Sequence, residues 1–354
     1  MKNNTAIVCL SPNFGGMEIN AINMAKKLAP YSNIVVIANN NGHMARVFSN
    51  ETHKNITLET IKFKFSLSLN IVLKAREIIK KHNIKNIVFY GASELKSLYF
   101  SLLGLDINLI VVHSTTKSTP KKDWFHRIIY SNVNYHVSIS KHLQKNVSKI
   151  IPLTSKNKSI MIYSGMNIEP LQKIHQDKLT IIHTGRIANG KGQLEAIQAC
   201  EILYRNKINF QFFVVGGYEN SEYERYFLSI YETLPYKDNI VLTGYTTNVN
   251  TYLSKADLFL FPSHGEGFGK SISEALSFGL VCIVFKNTSF FEFEELGFHM
   301  HLANNLDLED LKGKLLYVAQ NKEIEILESS KNIELADRLF NENQEINRYL
   351  EILI

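Results

Sequence analysis

Apolar runs of strand length alternate with helix-patterned stretches along this 354-residue chain. That alternation belongs to parallel sheets whose crossover connections are helices. In the first half the strand candidates are Ala6–Leu10, Ile34–Ala38, Asn86–Tyr90, Leu109–His113 and His136–Ser138, with helices such as Glu18–Leu28 and Leu69–Lys81 between them. In the second half they are Leu179–Thr184, Phe210–Val215, Ile240–Thr243, Leu258–Phe261 and Val281–Phe285. The helices there include Gln193–Asn206, Tyr223–Leu234, Asn248–Lys255, Lys270–Phe278 and Leu308–Asn321, and a last helix spans roughly Asn332 to Ile354. A chain this long exceeds one ordinary core, so two α/β domains are expected. The seam falls in the polar stretch Ser164–Asp177, which holds Gly165 and Pro170.

Composition narrows the class. With 45% hydrophobic and 20% charged residues the chain reads as a soluble globular protein. It has no run of about 18 apolar residues that would cross a bilayer. Its first residues, MKNNTAIVCLSPNFGG, are too polar for a secretory signal. Cys9, Cys200 and Cys282 lie far apart in apolar or helical stretches. They read as buried free thiols in a reducing cytoplasm, without disulfide or metal-ligand spacing.

The net charge of +6 is unevenly spread: residues 1–170 carry +14 and the remainder −8. The first half therefore faces something anionic. No nucleic-acid-binding motif accompanies the charge, so a membrane surface or lipid-linked phosphate is the expected partner. Lys74, Arg76, Lys80, Lys81 and Lys85 lie on or beside a helix with Ile71, Val72, Ile78 and Ile79, while Lys117, Lys121, Lys122 and Arg127 surround Trp124 and Phe125. That is the composition of an interfacial anchor; a plain solvated basic face is the other reading.

The most telling stretch is Ser263–Phe285, SHGEGFGKSISEALSFGLVCIVF. Glu266 and Glu274 stand eight apart, with Gly265, Gly267 and Gly269 around the first. A glycine-rich turn running into a helix offers backbone N–H groups and the positive end of a dipole, which suits a phosphate. Glu274 lies one turn into the helix, where a carboxylate suits the paired hydroxyls of a ribose. From the spacing alone, a solvated glutamate pair flanking an ordinary strand–turn–helix is equally open. Upstream, His183-Thr-Gly-Arg186-Ile-Ala-Asn-Gly-Lys191-Gly192 follows a strand and precedes a helix. Arg186, a planar fork, and Lys191, a point charge, are placed to converge on a diphosphate.

Taken in order, these motifs resemble the retaining glycosyltransferases of the GT-B fold, glycosyltransferase family 4. That family has a glutamate, seven residues and a second glutamate, preceded by an aspartate-containing strand such as Ala256–Ser263. The resemblance implies two Rossmann-like domains with parallel sheets facing across a cleft. An N-terminal acceptor-binding domain would span 1–168 and a C-terminal nucleotide-sugar-binding domain 172–337, with a terminal helix at about 338–354 packing back on the first. It also implies that Arg186 and Lys191 stabilise the leaving nucleoside diphosphate where other transferases use a divalent metal, and no metal site is expected.

The family likeness extends to the glycine loop Ser11–Glu18 with Gly15 and Gly16, to His113 near the donor sugar, to Gly216-Gly217 near the nucleotide, and to Thr243-Gly244-Tyr245 beside the base. Ser138-Ile-Ser140 matches a further landmark, whereas Tyr163–Asn167 departs from the usual Asn-Gly-Val-Asp. His113, ending an apolar strand, has a satisfied core histidine as its alternative reading. The catalytic set so implied is Glu266, Arg186, Lys191 and His113. Donor contacts would come from Gly15, Gly16, Gly216, Tyr245, Gly267, Phe268, Gly269, Lys270, Ser271 and Glu274.

The expected activity is metal-independent, retaining transfer of a sugar from a UDP-, GDP- or ADP-sugar, UDP leading, without a cofactor. The acceptor would be a hydroxyl of a lipid-linked glycan in bacterial lipopolysaccharide, O-antigen or capsule synthesis. The protein would be cytoplasmic and peripheral on the inner membrane face. A GT-B sugar-nucleotide epimerase and an inert GT-B partner subunit are the alternatives; the intact Glu266, Glu274, Arg186 and Lys191 weigh against the latter.

Overall fold

The computed structural model describes residues 4–13, 15–50, 53–167, 177–218 and 221–353. Two compact units result, Met1–Gly165 with Asn343–Ile354, and Met166–Glu342. Phe14, Pro170, the residues 168–172 around the expected boundary and the terminal Ile354 lie outside the described residues.

In the first unit seven parallel strands form one sheet: β1 (Asn4–Cys9), β2 (Asn33–Asn39), β3 (Ile56–Ile61), β4 (Ile84–Tyr90), β5 (Asn108–His113), β6 (Tyr135–Ser138) and β7 (Lys158–Met161). Their order is β3-β2-β1-β4-β5-β6-β7. The second unit has β8 (Leu179–Thr184), β9 (Phe210–Val215), β10 (Ile240–Gly244), β11 (Leu258–Phe261), β12 (Val281–Phe285) and β13 (His301–Ala303), ordered β10-β9-β8-β11-β12-β13 and again parallel. Helices connect the strands in both units.

Central strands such as β5 and β12 are buried at every residue, so they read as unbroken apolar runs. Three edge strands lack that signature, whereas the fourth, β10, keeps the apolar start Ile240–Leu242. ITLETI in β3 and KSIM in β7 are only partly buried, and β13 is three residues long. All three escape the apolar pattern for that reason. Aliphatic and aromatic side chains such as Ile71, Ile87, Phe89 and Leu109 in one core and Ile181, Phe212, Leu260 and Phe285 in the other fill the space beside each sheet. Each contributes about 1.5–3 kcal/mol through burial.

Two helical expectations need correction. The stretch expected as one helix from Gln193 is two, Gln193–Ala199 and Glu201–Arg205. The last helix is also two, Asn332–Phe340 and Glu342–Leu350, because Asn341 is extended with ψ 139°. At that break Met166 and Asn341 form a parallel bridge, the Met166 N–H donating to Phe340 O at 2.7 Å and the Glu342 N–H to Met166 O at 3.2 Å.

Residues 343–354 pack within the first unit. Lys27 Nζ lies 2.7 Å from Glu345 Oε2 and donates to Gly165 O at 2.7 Å, with both side chains largely buried. Asn108 Nδ2 donates to Ile352 O at 2.7 Å and to Asn86 Oδ1 at 2.9 Å. Tyr90 and Tyr349, both buried, share a hydrogen bond, and burial pushes both phenols up.

Candidate active site

In a doubly wound sheet, ligands settle at the carboxyl ends of the strands where the strand order reverses. In the second unit that point lies between β8 and β11. The loops leaving those two strands carry Gly185–Gly192 and Ser263–Gly269.

The two loops are stitched together. The His264 N–H donates to Gly190 O at 2.9 Å, and Ser263 Oγ lies 3.1 Å from the same oxygen. Gly192 has φ +81°, and a Cβ there would sit 2.2 Å from Pro262 O. Only glycine fits this crossing. The β9 exit makes a similar crossing at Gly216, where a Cβ would fall 1.8 Å from Gly185 O. Both glycines serve the close passage of one loop backbone over another.

Lys191 and Glu266 meet here. Lys191 Nζ is 2.7 Å from Glu266 Oε1, and the Ser263 hydroxyl is 3.0 Å from the same oxygen. The Glu266 N–H donates to Thr288 Oγ1 at 3.0 Å, and that hydroxyl donates to Asn287 Oδ1 at 3.0 Å. Asn287 Nδ2 in turn donates to Ser263 O at 2.8 Å and Asn305 Oδ1 at 2.7 Å. Glu266 is thus held from three directions with its carboxylate half-buried beside a cation. Arg186 is exposed on the same β8 loop. Gln193 fixes that loop from beneath, donating from Nε2 to Arg186 O at 2.6 Å.

The helix Lys270–Ser277 begins immediately after Gly269 and places Lys270 and Ser271 in its first turn. Glu274 follows one turn on. Burial raises its carboxyl above the ordinary value, and the charge of Lys270 opposes that shift. Gly267 lies between Glu266 and this helix. The Phe268 side chain is buried, with its ring 5.6 Å from that of Phe293 and 5.3 Å from that of Phe340, so a donor contact there would fall to its backbone. Gly216 donates its N–H to Gly244 O at 3.1 Å, next to the exposed Tyr245.

The remaining candidates belong to the first unit. Gly15 and Gly16 lie at the start of the helix Gly16–Leu28, after β1, beside that sheet's own reversal point between β1 and β4. His113 ends β5 and is buried. Its Nε2 is 3.0 Å from His136 Nδ1, and the rings stack at 5.2 Å. Burial, reinforced by His136, holds His113 well below the ordinary histidine range, and burial pushes His136 down to about 4. Both are neutral imidazoles near neutral pH.

Sequence reasoning missed Ser263, Asn287 and Thr288, which hold Glu266. Ser263 was inside the quoted motif, but Thr288 is 22 residues from Glu266. The available signal was its place just past β12, at the ligand-binding end of the sheet. The three cysteines are free and buried, as expected.

Relatives agree with this architecture. Residues 167–336 match the family model described as Glycosyl transferases group 1. A capsular polysaccharide biosynthesis glycosyltransferase, CapH of Staphylococcus aureus, is 26% identical over 233 residues, covering 62% of this chain and 62% of CapH. The match therefore spans less than two thirds of that relative's length. A glycosyltransferase structure from Rickettsia africae superposes with TM-score 0.85 at 16% identity, over 99% of this chain and 98% of that one. Anabaena Alr3699/HepE, solved in complex with UDP and glucose, gives TM-score 0.81 at 16% identity over 99% of both chains.

The chain has the GT-B fold. Its second unit is similar to the glycosyl transferases group 1 family over residues 167–336, and the resemblance drawn from the motifs stands at the level of that fold and that match.

Proposed function

We propose that this protein is a retaining glycosyltransferase that moves a sugar from a nucleoside-diphosphate sugar to a hydroxyl of a glycan in polysaccharide synthesis. The observation that carries the reading is the Lys191–Glu266 pair, 2.7 Å apart at the reversal point of the second sheet. A cation and a carboxylate held side by side suit a substrate with an anionic leaving group and a hydroxyl-rich sugar.

In the reaction the bond between the anomeric carbon and the diphosphate oxygen breaks, and the electron pair leaves with the diphosphate. The acceptor oxygen forms the new bond on the same face, and its proton passes to the departing diphosphate. Lys191, Arg186 and the first turn at Lys270 and Ser271 would stabilise the charge on the leaving group. Glu266 would bind sugar hydroxyls and stabilise positive charge at the anomeric carbon, and Glu274 would hold the ribose. Gly216, Gly267, Gly269 and Tyr245 would line the nucleotide. No metal takes part in these steps. His113, held neutral, would act by hydrogen bonding rather than by carrying a proton, and Gly15 and Gly16 would let the backbone approach the substrate in the first unit.

CapH and the HepE–UDP–glucose complex support a UDP-sugar donor and a surface glycan as product. The first unit would take the acceptor, which we assign as lipid-linked. No described helix is long and apolar enough to cross a membrane. The first unit does expose Phe65 (75%), Leu69 (72%), Leu73 (58%) and Trp124 (73%). Its basic groups are partly spent internally: Arg76 bonds Ser101 O and Leu103 O, and Lys81 pairs with Glu59. Ile71, Ile78 and Ile79 are core. The proposed anchoring groups are therefore the exposed leucines beside Lys74, which pairs with Glu77, and Trp124 near Lys122 and Arg127, whose Nε donates to Lys122 O. Leu69→Glu with Leu73→Glu should abolish co-sedimentation with vesicles containing phosphatidylglycerol; unchanged co-sedimentation would remove the membrane from the account.

A panel of UDP-, GDP- and ADP-sugars assayed for nucleoside diphosphate release tests the activity. One donor should turn over, and Glu266→Ala should lower kcat by about 100-fold or more. An NMR spectrum of the glycoside formed should show the donor's anomeric configuration. Inversion would reject the retaining mechanism, and absence of both turnover and binding would reject the transferase.

A further inference from the structure

We propose that His299, His301 and Glu325 form a binding site for one divalent transition-metal ion of the zinc class, remote from the proposed donor site. His301 opens β13 and His299 stands two residues before it, and both rings reach the same side of the chain. Glu325 comes from the first turn of the helix Lys322–Ser330. Both rings converge on a single oxygen: His299 Nε2 is 2.7 Å and His301 Nε2 2.8 Å from Glu325 Oε2. All three ligand atoms lie within 4.8 Å of one another.

Two imidazoles and a carboxylate are a zinc donor set that leaves a fourth position for water. Tetrahedral donors about 2 Å from zinc are roughly 3.3 Å apart. The two rings therefore need to part from the carboxylate by about half an ångström to admit the ion at that spacing. The chain that carries the rings is held in place. The His299 backbone is clamped by Asn332, which accepts its N–H at 2.9 Å and donates to its carbonyl at 2.8 Å. His301 is fixed in register opposite Ile283, and Tyr317 lies edge-on to its ring at 5.8 Å. Glu325 is buried, whereas the His299 side chain is 36% exposed and gives the ion a way in.

The site sits at the amino end of β13. The carboxyl end, at Ala303, leads instead to Asn305 and the Asn287–Thr288 support of Glu266. Bound there, the ion would staple an edge strand to the helix packed beside it and stabilise the second unit without touching the donor chemistry.

The test is a titration of chelator-stripped, full-length protein with Zn2+ against a chromogenic indicator. One equivalent per chain should bind and raise the melting temperature. Binding should weaken at least tenfold in His299→Ala and in His301→Ala, and stay unchanged in His126→Ala. Glu325→Gln keeps a hydrogen-bond acceptor for the rings and should still lose affinity. If a histidine variant fails to fold, Co2+ in the wild type decides: one equivalent with the visible bands of a four- or five-coordinate ion supports the site. No uptake, octahedral spectra, or uptake equal in both histidine variants would overturn it.

Discussion

At the scale of single residues, the site depends on groups that the backbone forces together. Gly192 combines a left-handed φ of +81° with a backbone oxygen 2.2 Å from where a Cβ would be. Gly192→Ala should therefore lower unfolding stability by about 3 kcal/mol, since left-handed strain costs roughly 1–2 kcal/mol and the overlap adds to it. A shifted urea midpoint with unchanged slope would show this; a midpoint within error of wild type would mean the loop relaxes freely. Glycine spacing made this turn legible, because few other residues accept such geometry. Glu266 and Lys191 were legible as chemistry, but their 2.7 Å contact was not, since 75 residues separate them. The Thr288 hydroxyl that holds the Glu266 backbone carries no motif of its own beyond its place just past β12. The place of Phe268 between Gly267 and Gly269 suggests a ligand contact, although the ring belongs to the core.

At the scale of elements, burial on both faces decides what can be read. Strands β8, β11 and β12 match their apolar runs residue for residue, because a central parallel strand buries both faces, and β9 matches too although Gln211 and Phe213 are only partly buried. Strands β3, β7 and β13, at the edges, mix polar residues and were invisible, whereas the edge strand β10 was legible because it opens on the apolar Ile240–Leu242. The break at Asn341 was invisible for another reason: it is set by the bridge to Met166, 175 residues earlier, and not by a proline or glycine. Beyond it the terminal helix is tied to the first unit through the buried Lys27–Glu345 pair. Lys27→Met removes that cation and the bond to Gly165 O, and should cost about 3 kcal/mol because it strips charge compensation from a buried carboxylate. Lys27→Met with Glu345→Leu should recover most of the loss. A single variant as stable as wild type would show that the pair contributes nothing.

At the scale of the whole molecule, each unit buries a neutral histidine, and the acid response follows. Burial pushes His136 in the first unit and His183 in the second down to about 4. An unfolded histidine titrates near 6.5. Between about 6.5 and 4 the unfolded chain binds protons that the folded chain refuses, so stability falls as pH drops through that window, by on the order of 3 kcal/mol per ring. Urea midpoints should decline steadily from pH 6.5 to 4.5, and His136→Asn should flatten the slope; a flat wild-type profile would contradict the burial.

The charge asymmetry of +14 against −8 between the chain's parts is a sequence fact. The structure refines it, spending some cations internally and leaving leucines and a tryptophan on the surface. The proposed nucleotide-sugar site rests on the pairing of Lys191 with Glu266 at the sheet reversal point. Calorimetric titration of UDP into wild type and Lys191→Ala tests it most directly. A charge-assisted hydrogen bond is worth about 1.5–3 kcal/mol, so the variant should bind UDP about 10- to 100-fold more weakly. Equal affinity in the two proteins would place the diphosphate elsewhere and contradict the account.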